Sequence, residues 1–276
     1  MTKMKNILLI VVLFAFAKAY SQKIQGIATY KTQRSVDIKL DSTSGMNSEM
    51  QKSIQEQLRK QFQKEFDLSF NNDEKLWKEN ESISTPQAPS SGMVIMMTGN
   101  SDELYQNVNE KKYVKLSDMM GKLFLIEDAL KKPEWKLEKE TKNIGQYTCF
   151  KATLTEEIEE TIMTDSSDDV EKTKESRVTT AWYTLDIPVQ HGPEDFWGLP
   201  GLILEVNDGK MAMMCTKVVL NPEAGVVIEA PSKGKKVTQA EYDDISEKKS
   251  KEMMERYRNK STKKGESNSF TIKVGG

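Results

Sequence analysis

Residues 202–215 read Leu202-Ile203-Leu204-Glu205-Val206-Asn207-Asp208-Gly209-Lys210-Met211-Ala212-Met213-Met214-Cys215, two alternating apolar runs around an Asp-Gly pair. Asp208-Gly209 suits a two-residue type I′ hairpin turn, whose two central residues both need positive φ. That turn sets Val206 opposite Met211, Leu204 opposite Met213 and Leu202 opposite Cys215. One face then carries Leu202, Leu204, Val206, Met211, Met213 and Cys215, all apolar. A slip of one residue would turn that set into water, so the pattern specifies the register.

The same cadence extends in both directions. Upstream, residues 178–187 form a strand containing Ala181, Trp182 and Tyr183, and residues 188–201 form a long loop. Residues 156–177, rich in Asp, Glu, Ser and Lys, read as a long solvated hairpin connection or as a hairpin with a mobile tip. Tyr147 to Thr155 is a strand carrying Cys149, and 135–137 begins another. Short strands separated by polar turns are expected at 93–98, 103–108, 112–116 and 122–126, the rhythm of an antiparallel meander. Near the start, Ile24, Gly26, Ala28 and Tyr30 share one parity of a first strand. Phe66, Leu68 and Phe70 alternate in a second, and 75–80 returns from it. Two helices interrupt the β pattern. Met46, Met50, Ile54, Leu58 and Phe62 recur every four residues along 46–66. Thr238 and Glu241 form a capping box that opens a helix running to about residue 260. The expected fold is mainly β (α+β): a curved antiparallel sheet or half-barrel with both helices on its concave side. The strand cadence is analogous to that of periplasmic lipoprotein carriers, an analogy that does not fix function.

The first residues suggest an address. Lys3 and Lys5 precede an uncharged apolar run at 7–17, and Ala17-Lys18-Ala19 and Ala19-Tyr20-Ser21 fit the small-x-small pattern of a cleavage site. Residues 1–21 are therefore expected to be a signal peptide and 22–276 a single β-rich domain, exported to the periplasm or the outer membrane, or secreted. The apolar run is too short for a bilayer core of about 30 Å, so no membrane span is expected after cleavage. The formal net charge of −2 and the lack of a basic stripe give no reason to expect nucleic acid. Cys149 and Cys215 are the two cysteines. In an oxidising compartment they either pair or stay as two buried thiols.

Trp182-Tyr183, Gly192-Pro193, Phe196 and then Gly198-Leu199-Pro200-Gly201-Leu202-Ile203 resemble the GLPGLI family, exported proteins of Gram-negative bacteria. The resemblance extends to the strand with Cys149 and to the first strand ending in Tyr30. It implies export and no particular activity. Within this motif, Pro200-Gly201 fits the centre of a type II turn with Gly201 at positive φ. Gly198 fits a close backbone approach. Trp182, Tyr183, Gly198, Pro200 and Gly201 are thus the structural residues of the motif. The alternative to this structural reading is a recognition loop, because a loop of this length is longer than a connection needs.

Chemistry-bearing constellations are sparse. His191 is the single histidine, so multi-histidine metal sites are excluded. No G-x-S-x-G elbow and no phosphate-binding glycine pattern occurs. The acidic run from Glu156 to Asp169 lacks an EF-hand spacing. Fifteen methionines, clustered at Met93, Met96 and Met97 and at Met211, Met213 and Met214, invite a copper(I) reading against a plain role as adaptable core. The expectation is a non-enzymatic binding or chaperone-like module with no cofactor. Its ligand is an apolar molecule or a peptide segment, contacted by His191, Phe196, Trp197, Leu199, Pro200, Met211 and Met213. The alternative is a partner of an outer-membrane complex that engages it through the 188–201 loop.

Overall fold

A computed structural model describes residues 24–34, 63–80, 103–164, 171–264 and 271–274. Alternation in the sequence becomes alternation in burial. Strand β1 (Gly26–Arg34) buries Ala28, Tyr30 and Thr32 and exposes Lys31 and Gln33. β2 (Lys64–Phe70) buries Leu68 and Phe70, and β3 (Glu74–Glu79) buries Lys75 and Trp77. The meander continues through β4 (Glu103–Asn107), β5 (Lys112–Met119) and β6 (Lys122–Ala129). Next come β7 (Lys136–Ile144), β8 (Tyr147–Thr164), β9 (Glu171–Thr184), β10 (Leu202–Asn207) and β11 (Met211–Leu220). The described chain closes with β12 (Lys235–Val237), helix α1 (Gln239–Lys264) and β13 (Thr271–Val274).

These strands make one 13-stranded sheet in the order β12-β6-β5-β4-β3-β2-β1-β11-β10-β9-β8-β13, with β7 also paired to β8. All pairs are antiparallel except β12 with β6. Trp77 of β3 and Leu104 of β4 share one core cluster with Cys149 of β8 and Leu202 of β10. Strands so far apart in the order meet only if the sheet curls, and this face is the inside of the curl. Each Leu or Phe fully buried there contributes roughly 1.5–3 kcal/mol. Ile187 and Val189 of the connection between β9 and β10 join the same cluster, so that loop folds over the inner face.

One helix is present among the described residues. The Thr238 cap forms as the sequence indicates: Glu241 accepts from the Thr238 amide at 2.8 Å and donates its own amide to Thr238 Oγ1 at 3.3 Å. Tyr242 then packs edge-on against Phe124, and its hydroxyl meets Ser117 Oγ at 2.8 Å. The helix thus lies on β5 and β6, near one end of the strand order. Of the helix expected at 46–66, residues 46–62 lie outside the described residues, and Lys64 to Phe66 are already strand β2.

The central hairpin keeps its parity but not its register. Val206 faces Met213, not Met211, and Asn207 faces Ala212. The two-residue loop is Gly209-Lys210. Gly209 alone has positive φ, 87°, and Asp208 N–H donates to the Met211 carbonyl. Glycine at the first central position is the requirement of a type II′ turn. The Asp208 carboxylate favours this arrangement by accepting the amides of Lys210 and Met211, at 2.8 and 2.6 Å. A two-residue shift preserves which face each side chain takes. A bulge between Ile203 and Glu205 does not, because it leaves Leu204 as an extra residue. Leu202 and Leu204 stay in the main core, whereas Val206 joins a second cluster with Ala152, Ala181, Tyr183, Leu199 and Ile203. The expected single apolar face is therefore split in two.

Two readings left open by the sequence are decided. Of the two for residues 156–177 the structure has the hairpin: β8 and β9 stay paired out to Ile162 opposite Glu171. Thr155 and Ile158 supply β-branched residues there, and Glu156 lies opposite Arg177, a favourable cross-strand charge pair. Cys149 and Cys215 are both buried and free, not bridged.

Candidate functional site

Strand parity places Lys75 beneath the loop. Trp77 points into the core, so Lys75, two residues earlier, must point inward as well. Its ammonium is fully buried and donates to the carbonyls of Gly192, Glu194 and Phe196 at 2.9, 2.5 and 3.3 Å. Three acceptors for three N–H groups satisfy the head group completely. Burial pulls its pKa down to about 7, and the Asp195 and Glu194 carboxylates act in the opposite sense. The loop's carbonyls therefore converge on a cation supplied by the sheet.

His191 sits beside this cage, wholly buried. Its backbone bridges Trp197, closing the 191–197 segment into a small ring. Nε2 lies 3.0 Å from the Asn71 carbonyl oxygen, which can only accept, so Nε2 carries the proton. Nδ1 is buried without a partner. Burial, and then the Lys75 charge, push the imidazole down to about 3, so it is neutral. A buried neutral ring with one nitrogen on a backbone carbonyl is poorly placed for proton transfer to any substrate.

The motif glycines exchange the roles expected of them. Gly198 takes the positive φ, 92°, and Gly201 does not. A β-carbon on Gly201 would stand 1.9 Å from the Thr184 carbonyl oxygen, so residue 201 is glycine because the chain crosses β9 at contact. The crossing is fixed by Leu202 N–H donating to the Ile187 carbonyl and Ile203 N–H to that of His191. Tyr30, deep in β1, donates its hydroxyl to the Ile203 carbonyl at 2.7 Å.

The expected contact residues are mostly interior. His191, Leu199 and Met213 are buried, Trp197 is 6% exposed, and Phe196 and Met211 are half-buried. Pro200 alone of the seven is exposed. Trp197 Nε1 donates to the Lys131 carbonyl at 3.2 Å, and Trp135 Nε1 to the Trp197 carbonyl at 2.8 Å. Tyr183 is buried, and half-buried Trp182 carries Lys142 Nζ 4.4 Å over its ring. Met213 is buried while its neighbour Met214 is 50% exposed. Adjacent strand residues point to opposite faces, so the three sulfurs of 211, 213 and 214 do not converge on one copper ion. Met93, Met96 and Met97 lie outside the described residues. Among the described residues no cluster of His, Cys, Asp and Glu is arranged to hold a metal ion.

Where the motif does reach the surface it forms one wall of a cleft of about 390 Å³. Gln190, Gly198, Leu199 and Pro200 face Lys132, Pro133, Glu134, Trp135 and Leu137. Leu137 is 56% exposed, an unusual position for a leucine beside a half-buried tryptophan. Sequence reasoning missed Lys75, Trp135 and Leu137. The Lys75–Trp77 parity was a usable signal for the first. Nothing in the sequence brings 132–137 next to 198–200.

Comparison with known proteins adds a family and two solved structures. A family described as "Protein of unknown function (Porph_ging)" matches residues 135–205, the stretch from the cleft's outer wall through the loop to β10. No curated protein matches the sequence. Two crystal structures of PNGF-II, in space groups C2 and P21, align with TM-scores of 0.45 and 0.43 at 14% and 15% identity. Each alignment covers 81% of this chain, and 32% and 33% of those chains, so this chain spans about a third of their length. Residues 135–205 are thus similar to an uncharacterised family, and the matched segment holds one wall of the cleft together with Trp135 and Leu137 of the other.

Proposed function

We propose that the chain is an exported, non-enzymatic binding module that holds a peptide segment of a partner protein in the cell envelope, with its recognition surface in the cleft beside Gly198. The observation that carries this reading is the contrast between inside and outside. A carrier of apolar molecules needs a hollow. Here the inner face is filled by Tyr30, Phe70, Trp77 and the loop residues Ile187 and Val189. The cleft, by contrast, offers apolar surface from Trp135, Leu137 and Pro200, with Lys132 and Glu134 at its rim. Its volume lies in the ordinary range for binding sites. An extended peptide can seat an apolar side chain there and meet a charge of either sign alongside.

A photo-crosslinking amino acid placed at position 137 in cells that make the protein tests the idea. Val227, 72% exposed and outside the cleft, serves as the control position. A discrete crosslinked species from position 137 and none from 227 is the expected result. Equal labelling from both positions, or none from 137, sinks the proposal.

A further inference from the structure

We propose that His191 and Lys75 form an acid-sensitive release for the 188–201 loop: a proton added to the bare Nδ1 creates a second N–H with no acceptor in the core, next to the caged ammonium, and the loop lifts to hydrate it.

The geometry supplies each part. Nε2–H is already committed to the Asn71 carbonyl, so Nδ1 is the only site left for a proton, and it is buried without a partner. An unsatisfied buried donor on a cation is among the costliest groups a core can hold. The charged groups that face this junction are few. Lys75 comes from β3, and Glu194 and Asp195 from the loop itself. Tyr113 of β5 lies within the field of Asp195, and its hydroxyl donates to Gln239 Oε1. Glu74, next to Lys75 in the chain, is engaged with Tyr105 and Asn71. Among the described residues no carboxylate hydrogen-bonds to the imidazole; the charge acting on it is the like charge of Lys75, and the Asn71 and Asn72 backbone groups act in the opposite sense.

The sign follows from linkage. His191 is held near 3 in the closed loop against an ordinary value of 6.5, so the opened state binds the proton more tightly. The His191 contribution to loop closure is therefore fully present above about pH 6.5 and is lost as pH falls toward 3, by up to about tenfold in the opening constant per pH unit. Lys75 acts in the same direction over a higher range, since its closed-state value is also depressed. The inference deepens the cleft reading, because Gln190 and Gly198 to Pro200 form one wall of the cleft and move with the loop.

The test reads the loop, not the partner. Amide hydrogen exchange of the full chain, corrected for intrinsic rates, is followed in the 187–201 segment from pH 7.5 to 4. In parallel, proton NMR follows the one histidine in the chain. The expected result is loop protection that falls below pH 6.5 while peptides from β1 and β2 stay protected. His191→Gln retains an N–H for the Asn71 carbonyl but does not titrate, and its loop protection should be flat. In Lys75→Met, which removes the repelling charge and so raises the closed-state value, the fall should start at the same pH and be shallower. The proposal is overturned by an imidazole that titrates near 6.5 with the loop still protected, by an equal fall in His191→Gln, or by loss of β1 and β2 protection together with the loop. Loop release without any crosslink at position 137 would retain this inference and reject the cleft as a binding surface.

Discussion

A β-carbon at position 201 has nowhere to go, whereas one at position 198 has room but the wrong backbone. The first would lie 1.9 Å from the Thr184 carbonyl oxygen. The second would meet the Lys132 side chain at 3.4 Å and Pro133 Cδ at 3.7 Å, both ordinary contacts, on a residue with φ of 92°. Backbone cannot yield to a clash as a lysine stem can. Gly201→Ala should therefore cost about 3 kcal/mol, the upper part of the range for forced overpacking. Gly198→Ala should cost about 1–2 kcal/mol for the left-handed conformation. Denaturant melts of the two variants decide the order, and a larger loss at 198 would return the turn role to 201. The string of glycines was legible as structural. Which glycine did which job was not, because a turn template scores local dihedrals and is blind to a strand crossing overhead. Lys75 is the reverse case: a charged residue at an inward position between Phe70 and Trp77 is a contradiction visible in the sequence, and the loop carbonyls resolve it.

Among the elements, the β10–β11 hairpin shows how far pattern carries. Period-two alternation places side chains on faces, and a two-residue shift leaves those faces untouched. Leu202, Leu204, Met213 and Cys215 therefore share the face expected of them while the partners across the hairpin differ. The bulge at Leu204 could not be foreseen, since no residue there is unusual for a regular strand. The turn itself is testable. Asp208→Ala removes the acceptor for two amides and should cost about 1 kcal/mol. Gly209→Ala adds the strain of φ at 87° and should cost a comparable amount. Asn207→Ala, which gives up one bond to the Gly209 amide, should cost less than Asp208→Ala. Equal losses for Asp208→Ala and Asn207→Ala would show that the carboxylate does not set the turn. The α1 cap was legible because a capping box is a local contract between residues three apart. The cleft was not, because its walls are some sixty residues apart and meet only when the sheet curls.

For the molecule as a whole, the free thiols give a direct check on the interior. Burial pushes Cys149 up to about 11 and Cys215 up to about 12, so neither is a thiolate at neutral pH. Native protein should therefore not react with an aromatic disulfide reagent at pH 8, and denatured protein kept free of reductant should show two thiols. A count of zero in denaturant would mean that the strands carrying them are bridged after all. The strand order has a consequence of another kind. β1 lies in the middle of the sheet, with Gly26 opposite Phe70 on one side and Leu220 on the other. Within the meander the β2–β3, β4–β5 and β5–β6 hairpins each close over a short stretch of chain. The β1–β11 seam joins residues from nearly opposite ends of the described chain, so its loop-closure entropy falls due before any of its contacts form. Until the 211–220 segment has been made, one edge of β1 is an open row of amides and carbonyls. A nascent or truncated chain lacking that segment would carry this sticky edge at the centre of its half-built sheet, where a matching strand from another copy can seat itself first.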